Sequence, residues 1–490
     1  MFPSLVLLLP LFIPTLAGIG LGLGSYRGKE RSLLPSLLLC LALTTLVVAL
    51  IAIQPPIRLG LFSLGAQLPL YLATDTLSNI FAIFVAFIFL IVSIFCQDYL
   101  THEERPEHFV MFYLLALGML LGLSYAGNLL TLYLFFELLT LVSVPLVLHS
   151  QSLEAVAAAF KYLYYSIAGA SLGLLGLFVF YTNSWNLDFV PGGNLPPQAG
   201  ENSPLLLVAS MAVIIGFSAK AGLFPLHAWL PAAHPVAPAP ASAILSGVIT
   251  KAGVFAVIRY TLYLVGGDFL RGTWVQGVWL ALTLFTILLG SLQAYRELLL
   301  KKRLAYSSIS QVSYILFGIA TLSPLGLVGA LFHMFLHGVA KNGLFLNIGA
   351  ITSASQKSAA DELQGLGRNM PFTFGALALL SLCLVGIPPS GGFTSKWYLA
   401  TAALAALPKA ISWCGPLVLI ASALLTAGYL FPLLVEAFFP GTEWVKENEV
   451  KEAPPLLLAP TMLLALLGVA LGLFASPLLD ALQLLAASLF

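Results

Sequence analysis

Charged residues lie inside apolar stretches of this sequence, where few side chains can carry a charge without a purpose. Glu137 lies in the middle of LTLYLFFELLTLVSVPLVL, and several basic residues are placed in the same way. They are Lys161, Lys220, Lys251, Arg259, Lys341 and Lys396. Each such charge costs at least ~2.5–3.5 kcal/mol at the centre of a bilayer. Buried ionisable groups of this kind usually face a bundle interior and mark a path for ions or protons.

Not all of these charges are equally strong candidates for such a path. Arg259 and Asp75 could anchor an interface, Lys161 could extend to the surface from a span start, and Glu436 lies close to a loop. The stronger candidates are Glu137, Lys220, Lys251, Lys341 and Lys396. A buried Glu–Lys pair suits a relay, because a small change in spacing decides which group holds the proton.

Histidines extend this set. His333 and His337 are spaced i and i+4 in FHMFLHGVAKNGLF, and Lys341 follows four residues later, so the three share one helix face. The stripe indicates a hydrogen-bonded proton path rather than a metal site, because no carboxylate or cysteine stands at ligand spacing. In FPLHAWLPAAHPVAPAPAS, His227 could extend the path, and His234 could equally be a loop residue.

Two predicted spans are interrupted by glycine and proline. Lys220 precedes the break in FSAKAGLFPLHAWLP, and Lys396 follows the break in VGIPPSGGFTSKWYL. The two copies of F-[ST]-[AS]-K are 176 residues apart and lie in the seventh and twelfth predicted spans. The two spans are five apart, and an odd difference gives the two copies opposite orientations in the membrane. Opposite orientation is typical of inverted repeats with broken helices at the transport site.

The composition indicates that the elements carrying these residues lie in a membrane. Of 490 residues only 41 are charged (21 Lys plus Arg and 20 Asp plus Glu), which is 8%, and 60% are hydrophobic. Soluble domains carry roughly 25% charged residues, so a soluble globule is excluded, and disorder is excluded by the high hydrophobicity. Whole apolar blocks favour helices over barrel strands. We therefore predict an all-α polytopic membrane protein.

Apolar blocks of about 20 residues predict fourteen spans. They are 2–23, 32–53, 70–96, 109–127, 129–149, 154–182, 204–226, 240–265, 275–294, 303–320, 324–353, 371–400, 411–438 and 455–475. We divide the chain into spans one to three (1–100), a first five-helix repeat (101–268), a second inverted repeat (269–440) and a C-terminal loop with the last span (441–490). No Lys or Arg precedes the first apolar run, so no cleaved signal sequence is expected.

Basic loop residues predict the orientation. Loops after odd-numbered spans hold twelve basic residues and loops after even-numbered spans hold three, namely Arg58, Arg271 and Lys409. The twelve are Arg27, Lys29, Arg31, Arg105, Arg296, Lys301, Lys302, Arg303, Lys357, Arg368, Lys446 and Lys451. The positive-inside rule then places the odd loops in the cytoplasm and both termini on the other side.

The sequence contains no motif for nucleic-acid binding, metal binding or a redox cofactor. The net charge is +1 with no basic stripe, so nucleic acid is not expected as a partner. The four cysteines lie far apart without CxxC spacing, which favours buried hydrophobes over an iron–sulfur or zinc site. No GxGxxG or Walker-type loop occurs. We expect no metal and no redox cofactor of the chain's own.

Several of these stretches in combination resemble one known family. They are LYLFFELLTLVSVPLVL, FSAKAGLFPLHAWLPAAHPVAPAPASAILSGVITKAGVFAVIRY, LAYSSISQVSYILFGIA, HMFLHGVAKNGLFLNIGAI and GIPPSGGFTSKWYL. They are similar to the antiporter-like membrane subunits of respiratory complex I, a family that includes large subunits of Mrp-type cation/proton antiporters and of membrane-bound hydrogenases. The resemblance covers about residues 70–440.

The resemblance implies a fourteen-helix bundle with a row of charges along the membrane mid-plane. It implies that Glu137 is the fifth-helix glutamate and Lys220 its partner on the broken seventh helix. Lys251 would be the connecting lysine of the eighth helix and Lys396 the terminal charge on the broken twelfth helix. The eleventh-helix path would be His333, His337 and Lys341.

This sequence departs from the family pattern at two positions. Many relatives carry LPDAH where this chain has LPAAH at 230–234, so any role of that carboxylate is in doubt. One complex I branch carries glutamate where Lys396 stands. That lysine, the SKWYL motif and the compact length favour the Mrp D-type and hydrogenase relatives.

The expected function is proton translocation, with Na⁺ as an alternative ion, by one subunit of a multisubunit complex in the cell membrane. The complex could be of the NADH/ferredoxin:quinone oxidoreductase, hydrogenase or Mrp type, and other membrane subunits are the expected partners. Two alternatives stay open. They are a stand-alone secondary cation/proton transporter and a structural subunit without transport.

Overall fold

The structure, a computed structural model, describes residues 4–24, 33–65, 68–184, 186–196, 203–409, 411–441 and 450–490. Within these ranges the chain is an all-α membrane protein, as predicted, apart from one short β-hairpin. Twelve described helices are long and apolar enough to cross a membrane. Four basic residues used to predict the orientation lie outside the described ranges, namely Arg27, Lys29, Arg31 and Lys446.

The first half of the described chain contains a hairpin and eleven α-helices. The strands are β1 (Arg58–Ser63) and β2 (Pro69–Ala73). The helices are α1 (Leu9–Gly24), α2 (Leu33–Ala52), α3 (Thr76–Tyr99), α4 (Pro106–Ser124), α5 (Leu129–Val147), α6 (Leu153–Asn183), α7 (Ser203–Ala221), α8 (Leu230–Val236), α9 (Ala239–Ile244), α10 (Thr250–Ile258) and α11 (Gly267–Leu270). Short 3₁₀ turns span Ser4–Leu8 and Leu100–His102.

The second half contains nine described α-helices joined by turns and loops. Its α-helices are α12 (Trp274–Arg296), α13 (Leu300–Ala320), α14 (Pro324–Ser355), α15 (Leu366–Asn369), α16 (Pro371–Val385), α17 (Gly391–Ala406), α18 (Cys414–Phe438), α19 (Pro455–Leu473) and α20 (Ser476–Ala487). A 3₁₀ turn spans Ala360–Glu362.

The twelve long apolar helices coincide with twelve of the fourteen predicted spans. The other two predicted spans fall on α13, which carries many polar residues, and on the shorter pair α16 and α17. The number of fourteen spans, the inverted repeats, the division into four regions and the orientation of the termini stay predictions.

The predicted third span begins too early in the chain. Residues 69–73 form β2, which pairs antiparallel with β1, and the helix starts only at Thr76. Asp75 ends the extended segment because its carboxylate accepts a hydrogen bond from the Ser78 backbone N–H, 2.8 Å away, and so caps α3. The Tyr71 hydroxyl donates to the Gly127 carbonyl at 2.8 Å and fixes the hairpin to the start of α5.

Both predicted helix interruptions are present. The chain leaves α7 through Gly222 and leaves α16 through Gly386, whose φ angles are +84° and +87°. A residue with a side chain is strained in this left-handed region, so glycine ends the helix there. Lys220 lies in the last turn of α7, and Lys396 lies in the second turn of α17.

The eighth predicted span is less regular than expected. It consists of α9, a π-helical segment (Leu245–Ile249), α10 and a second π-helical segment (Arg259–Val265). The most apolar 18 residues of this span are all buried. The eighth span therefore lies at the centre of the bundle, in contact with α14, whereas α1 and α2 expose leucines at the periphery.

Candidate proton path

Lys220 is buried between α5, α6 and α7. Its Nζ donates to the Thr140 hydroxyl at 2.6 Å and lies 4.6 Å from the centre of the Phe136 ring and 5.8 Å from that of Tyr162. Thr140 and Phe136 are on α5, one turn apart, so the interrupted end of α7 presents the ammonium group to one face of α5.

The predicted Glu137–Lys220 ion pair is not formed. Glu137 is half-buried one turn from Thr140, and its Oε1 has no hydrogen-bond partner in the described part of the chain. No ion pair within 4.0 Å joins it to Lys220 there, and the ammonium group donates to Thr140. The two residues are close neighbours on packed helices, but they are separated in this conformation.

Lys251 is fully buried on α10. Its Nζ donates to the Ser246 carbonyl at 2.6 Å, and the same carbonyl accepts a 2.7 Å hydrogen bond from the Thr250 hydroxyl. Ser246 belongs to the first π-helical segment, and such wide turns often occur at functional sites because they re-aim backbone groups. The lysine is thus held by its own helix.

Close packing brings Lys251 to α14. A Cβ on Gly338 would lie 2.9 Å from the Gly247 carbonyl oxygen, and a Cβ on Gly247 would lie 1.8 Å from the Asn342 amide nitrogen. Only glycine permits this approach. Gly247 is one turn from Lys251, and Gly338 follows His337, so the contact joins two parts of the predicted path.

The three predicted path residues of α14 lie in its buried interior. The His333 Nδ1 is 2.8 Å from the Ser395 hydroxyl, and the rings of His333 and His337 are stacked with centres 6.0 Å apart. The Nε2 of His333 and both ring nitrogens of His337 have no partner in the described part of the chain. Buried polar atoms of this kind are usually satisfied by internal water. Lys341 donates to the Leu304 carbonyl at 3.0 Å.

Lys396 occupies the second interruption. Its Nζ donates to the carbonyls of Leu384 and Val385 at 2.8 and 2.6 Å, the last carbonyls of α16. A helix C-terminus attracts a cation because its carbonyls are unpaired and carry the negative end of the helix dipole. The ammonium nitrogen and the His333 ring are each 5.4 Å from the Tyr314 ring centre, so Tyr314 joins Lys396 to the stripe.

Other sequence candidates have different surroundings. His227 is half-buried beside Phe224, and its described hydrogen bonds and ring contacts include none to the lysines or to α14. His234 is not a loop residue but lies fully buried on α8, stacked on Phe345, because the chain turns back into the bundle after the break. Lys161 is exposed on α6, and Glu436 is half-buried near the end of α18.

Arg259 is a buried cation of another kind. Its guanidinium is bidentate to the Asp75 carboxylate, with Nη2 2.8 Å from Oδ1, and the pair ties the second π-helical segment to the start of α3. Because both charges are satisfied by each other, this pair fits a structural role.

Sequence reasoning missed several partners. Thr140 bonds to Lys220, Ser395 bonds to His333, and Tyr314 lies beside both His333 and Lys396. Ser395 could have been found from its place beside Lys396, but Thr140 and Tyr314 carry no distinguishing signal. Among the described residues, no group of three or more histidine, cysteine, aspartate or glutamate side chains could hold a metal ion.

Fold and site together define a multi-pass membrane protein with buried lysines and histidines along interrupted helices, the construction found in ion pumps and transporters. The chain belongs to the NADH:quinone oxidoreductase/Mrp antiporter transmembrane family, which matches residues 126–426. This confirms the resemblance that the motifs indicate.

Known relatives span the branches of the family. The chain is 33% identical over 419 residues to NADH-quinone oxidoreductase subunit N of Desulforudis audaxviator, covering 82% of each chain. It is 30% identical to Hydrogenase-4 component B of Escherichia coli, covering 83% of this chain and 63% of that one. Its fold matches a chain in the structure of the Mrp complex from Dietzia sp., with a TM-score of 0.84, 23% identity and coverage of 99% and 98%.

Proposed function

We propose that this chain is a proton-translocating, antiporter-like subunit of a multisubunit complex in the cell membrane. The observation that carries the proposal is how its buried lysines are bonded. Lys220, Lys251, Lys341 and Lys396 each donate to neutral hydroxyl or carbonyl oxygens, and no carboxylate lies within 4.0 Å of any of them in the described part of the chain.

Neutral acceptors suit a group that must gain and lose a proton. An amine that loses its proton beside a buried carboxylate leaves an unpaired charge, which is strongly unfavourable. An amine held by a hydroxyl or carbonyl leaves no such charge, so both protonation states are accessible. Protons would pass from Lys220 through Lys251 and the stripe of Lys341, His337 and His333 to Lys396.

Glu137 would control the first step. A small movement of the Lys220 side chain from Thr140 toward Glu137 would form the ion pair and favour the protonated amine. Breaking the pair would release the proton toward Lys251. Other membrane subunits would drive this movement, because the relatives are by name subunits or components of larger assemblies. The driving reaction would be redox chemistry or cation antiport, with Na⁺ as the alternative ion.

The test is coupled proton uptake by the intact complex in proteoliposomes, followed with a pH-sensitive dye. Glu137→Gln and Lys220→Ala should each abolish uptake while the complex still assembles. Lys409→Ala is the matched control, since Lys409 is an exposed loop lysine. Full uptake with both Glu137→Gln and Lys220→Ala would refute the proposal.

A further inference from the structure

A row of polar side chains outside the predicted path follows α13. Ser307, Ser310, Gln311 and Tyr314 stand at i, i+3, i+4 and i+7, so they share one face of the helix. They face α18, where Ser422, Thr426 and Tyr429 share a face in the same way. We call these seven residues with Ser291 of α12 the hydroxyl file.

Members of the hydroxyl file bond to one another across helices. Ser307 and Tyr429 have their hydroxyls 2.6 Å apart, and Tyr429 donates to Thr426 at 3.4 Å. Three serine hydroxyls then form a triangle with sides of 2.8, 2.6 and 3.2 Å, made by Ser291, Ser310 and Ser422. A hydroxyl both donates and accepts, so each of these two groups of contacts can pass a proton. Between the two groups, the Thr426 hydroxyl donates to the Ser422 carbonyl at 2.7 Å.

The file has one end at the predicted path. The Tyr314 hydroxyl donates to the Leu419 carbonyl at 3.2 Å, one turn from Ser422, and its ring lies beside Lys396 and His333. Eleven residues separate Arg303 from Tyr314 along α13, or about 16 Å at 1.5 Å per residue. That length is about half of the ~30 Å hydrocarbon layer.

Arg303 occupies the outer end. It is 7% exposed, its Nη1 donates to the Tyr429 carbonyl at 2.9 Å, and its Nε donates to the Glu297 carbonyl at 2.7 Å. A fixed positive charge at this point opposes the passage of an excess proton. The guanidinium therefore closes the file toward the membrane face that carries the α12–α13 loop.

Gln311 gives an independent indication that the file holds water. Its side chain is fully buried, and neither the amide nitrogen nor the amide oxygen has a partner in the described part of the chain. Burying an unpaired amide is costly, and internal water is the usual partner of such groups. Gln311 lies between Ser310 and Tyr314 on the same face of α13.

Ordinary helix packing does not explain this arrangement. A serine in a membrane helix can bond to a carbonyl of its own preceding turn, as Ser313 does to Ile309 at 2.9 Å. Ser307 and Ser310 instead bond to side chains on other helices. Their polarity also contributes to α13 not being among the twelve helices apolar enough to be recognised as spans.

We propose that the hydroxyl file is an access route through which Lys396 and His333 exchange protons with the membrane face that carries Arg303. Water at Gln311 completes the route, and Arg303 restricts its outer end. The proposal rests on the proposed function, because it needs Lys396 to carry protons.

The test uses the intact complex in proteoliposomes. Tyr429→Phe and Ser422→Ala should each lower coupled proton uptake severalfold, and Ser422→Thr should restore it because the hydroxyl returns. Ser313→Ala is the matched control and should pump at the wild-type rate. Arg303→Gln should raise passive proton permeability severalfold, and adding Tyr429→Phe should suppress that leak.

Failure of this proposal can be distinguished from failure of the proposed function. Wild-type uptake with Tyr429→Phe and Ser422→Ala, together with no leak in Arg303→Gln, would overturn the access route while Lys396→Ala still abolishes pumping. Pumping by Lys396→Ala would instead refute the proposed function. If Tyr429→Phe does not assemble, equal uptake by Ser422→Ala and Ser422→Thr would overturn the route.

Discussion

Two interrupted helices present a lysine to the interior of the bundle, but the two ammonium groups are held differently. Lys220 has one hydroxyl partner, Thr140, and two aromatic rings beside it. Lys396 has two backbone carbonyls at the end of a half-helix. The first site stabilises a cation through weak, adjustable contacts, whereas the second uses fixed backbone dipoles that stay in place whatever the side chain does.

If the proposed function is correct, this difference would give the two lysines different roles in transport. A lysine held by one hydroxyl can move toward Glu137 and respond to a neighbouring subunit. A lysine between two helix-end carbonyls also completes the fold, because it satisfies backbone groups that would otherwise be unpaired. Lys220 is thus suited to control, and Lys396 to holding and releasing a proton at a constant position.

Substitution by arginine should have the largest effect on transport. Lys396→Arg keeps the positive charge and can still donate to both carbonyls, but a guanidinium cannot be deprotonated in a protein. Proton uptake by the complex should therefore be abolished while thermal stability is retained. Uptake near the wild-type rate would show that Lys396 acts only as a fixed charge and would remove the contrast between the two lysines.

Replacing each of the two lysines by methionine should lower the thermal stability of the complex by different amounts. Lys396→Met leaves the carbonyls of Leu384 and Val385 without their donor, which costs about 1–3 kcal/mol for each group. Lys220→Met places an apolar chain among aromatic rings and should be nearly neutral, since replacing buried charges by apolar groups often is. Thermal unfolding of the assembled complex in detergent measures both variants. Equal losses of thermal stability in the two variants would show that the two lysines do not differ in their contribution to the fold.

The parts of this fold that follow from local patterns could be predicted from the sequence. Apolar runs of about 20 residues predict the helices, and glycine with proline predicts where α7 and α16 end. The i, i+4 spacing of His333 and His337 predicts their common face. The buried lysines are recognisable because charge is rare in these runs.

Features that depend on distant contacts could not be predicted. The π-helical segments have the same composition as an ordinary helix, so only the packing of the eighth span reveals them. Arg259 and Asp75 are 184 residues apart, and nothing local pairs them. Whether Lys220 bonds to Glu137 or to Thr140 depends on one side-chain conformation, which composition and spacing do not determine.

The glycine contact that joins the two lysine-bearing halves should be sensitive to one methyl group. In Gly338→Ala the new Cβ would lie 2.2 Å from the Phe84 ring and 2.9 Å from the Gly247 carbonyl. Such overpacking costs about 1–3 kcal/mol, and proton uptake should fall as Lys251 moves away from His337. Gly277→Ala is the control, because nothing lies within 4 Å of its added Cβ. Wild-type uptake by Gly338→Ala would show that proton transfer does not depend on the close approach of Gly338 to Gly247.

The smallest effect on transport is expected at the paired cation, Arg259. Asp75→Asn keeps the helix cap, because asparagine also caps well, but it leaves the guanidinium without its counter-charge. Breaking a fully buried pair costs ~3–5 kcal/mol. The Asp75 side chain is 39% exposed, so solvent screening reduces the expected loss of stability to about 1–2 kcal/mol. Proton uptake per assembled complex should stay at the wild-type level, because a guanidinium does not lose its proton in a protein, with or without this carboxylate. A severalfold loss of uptake at unchanged assembly would place Arg259 among the path residues. It would also show that the partner of a buried cation, carboxylate or neutral oxygen, does not distinguish functional from structural charges in this protein.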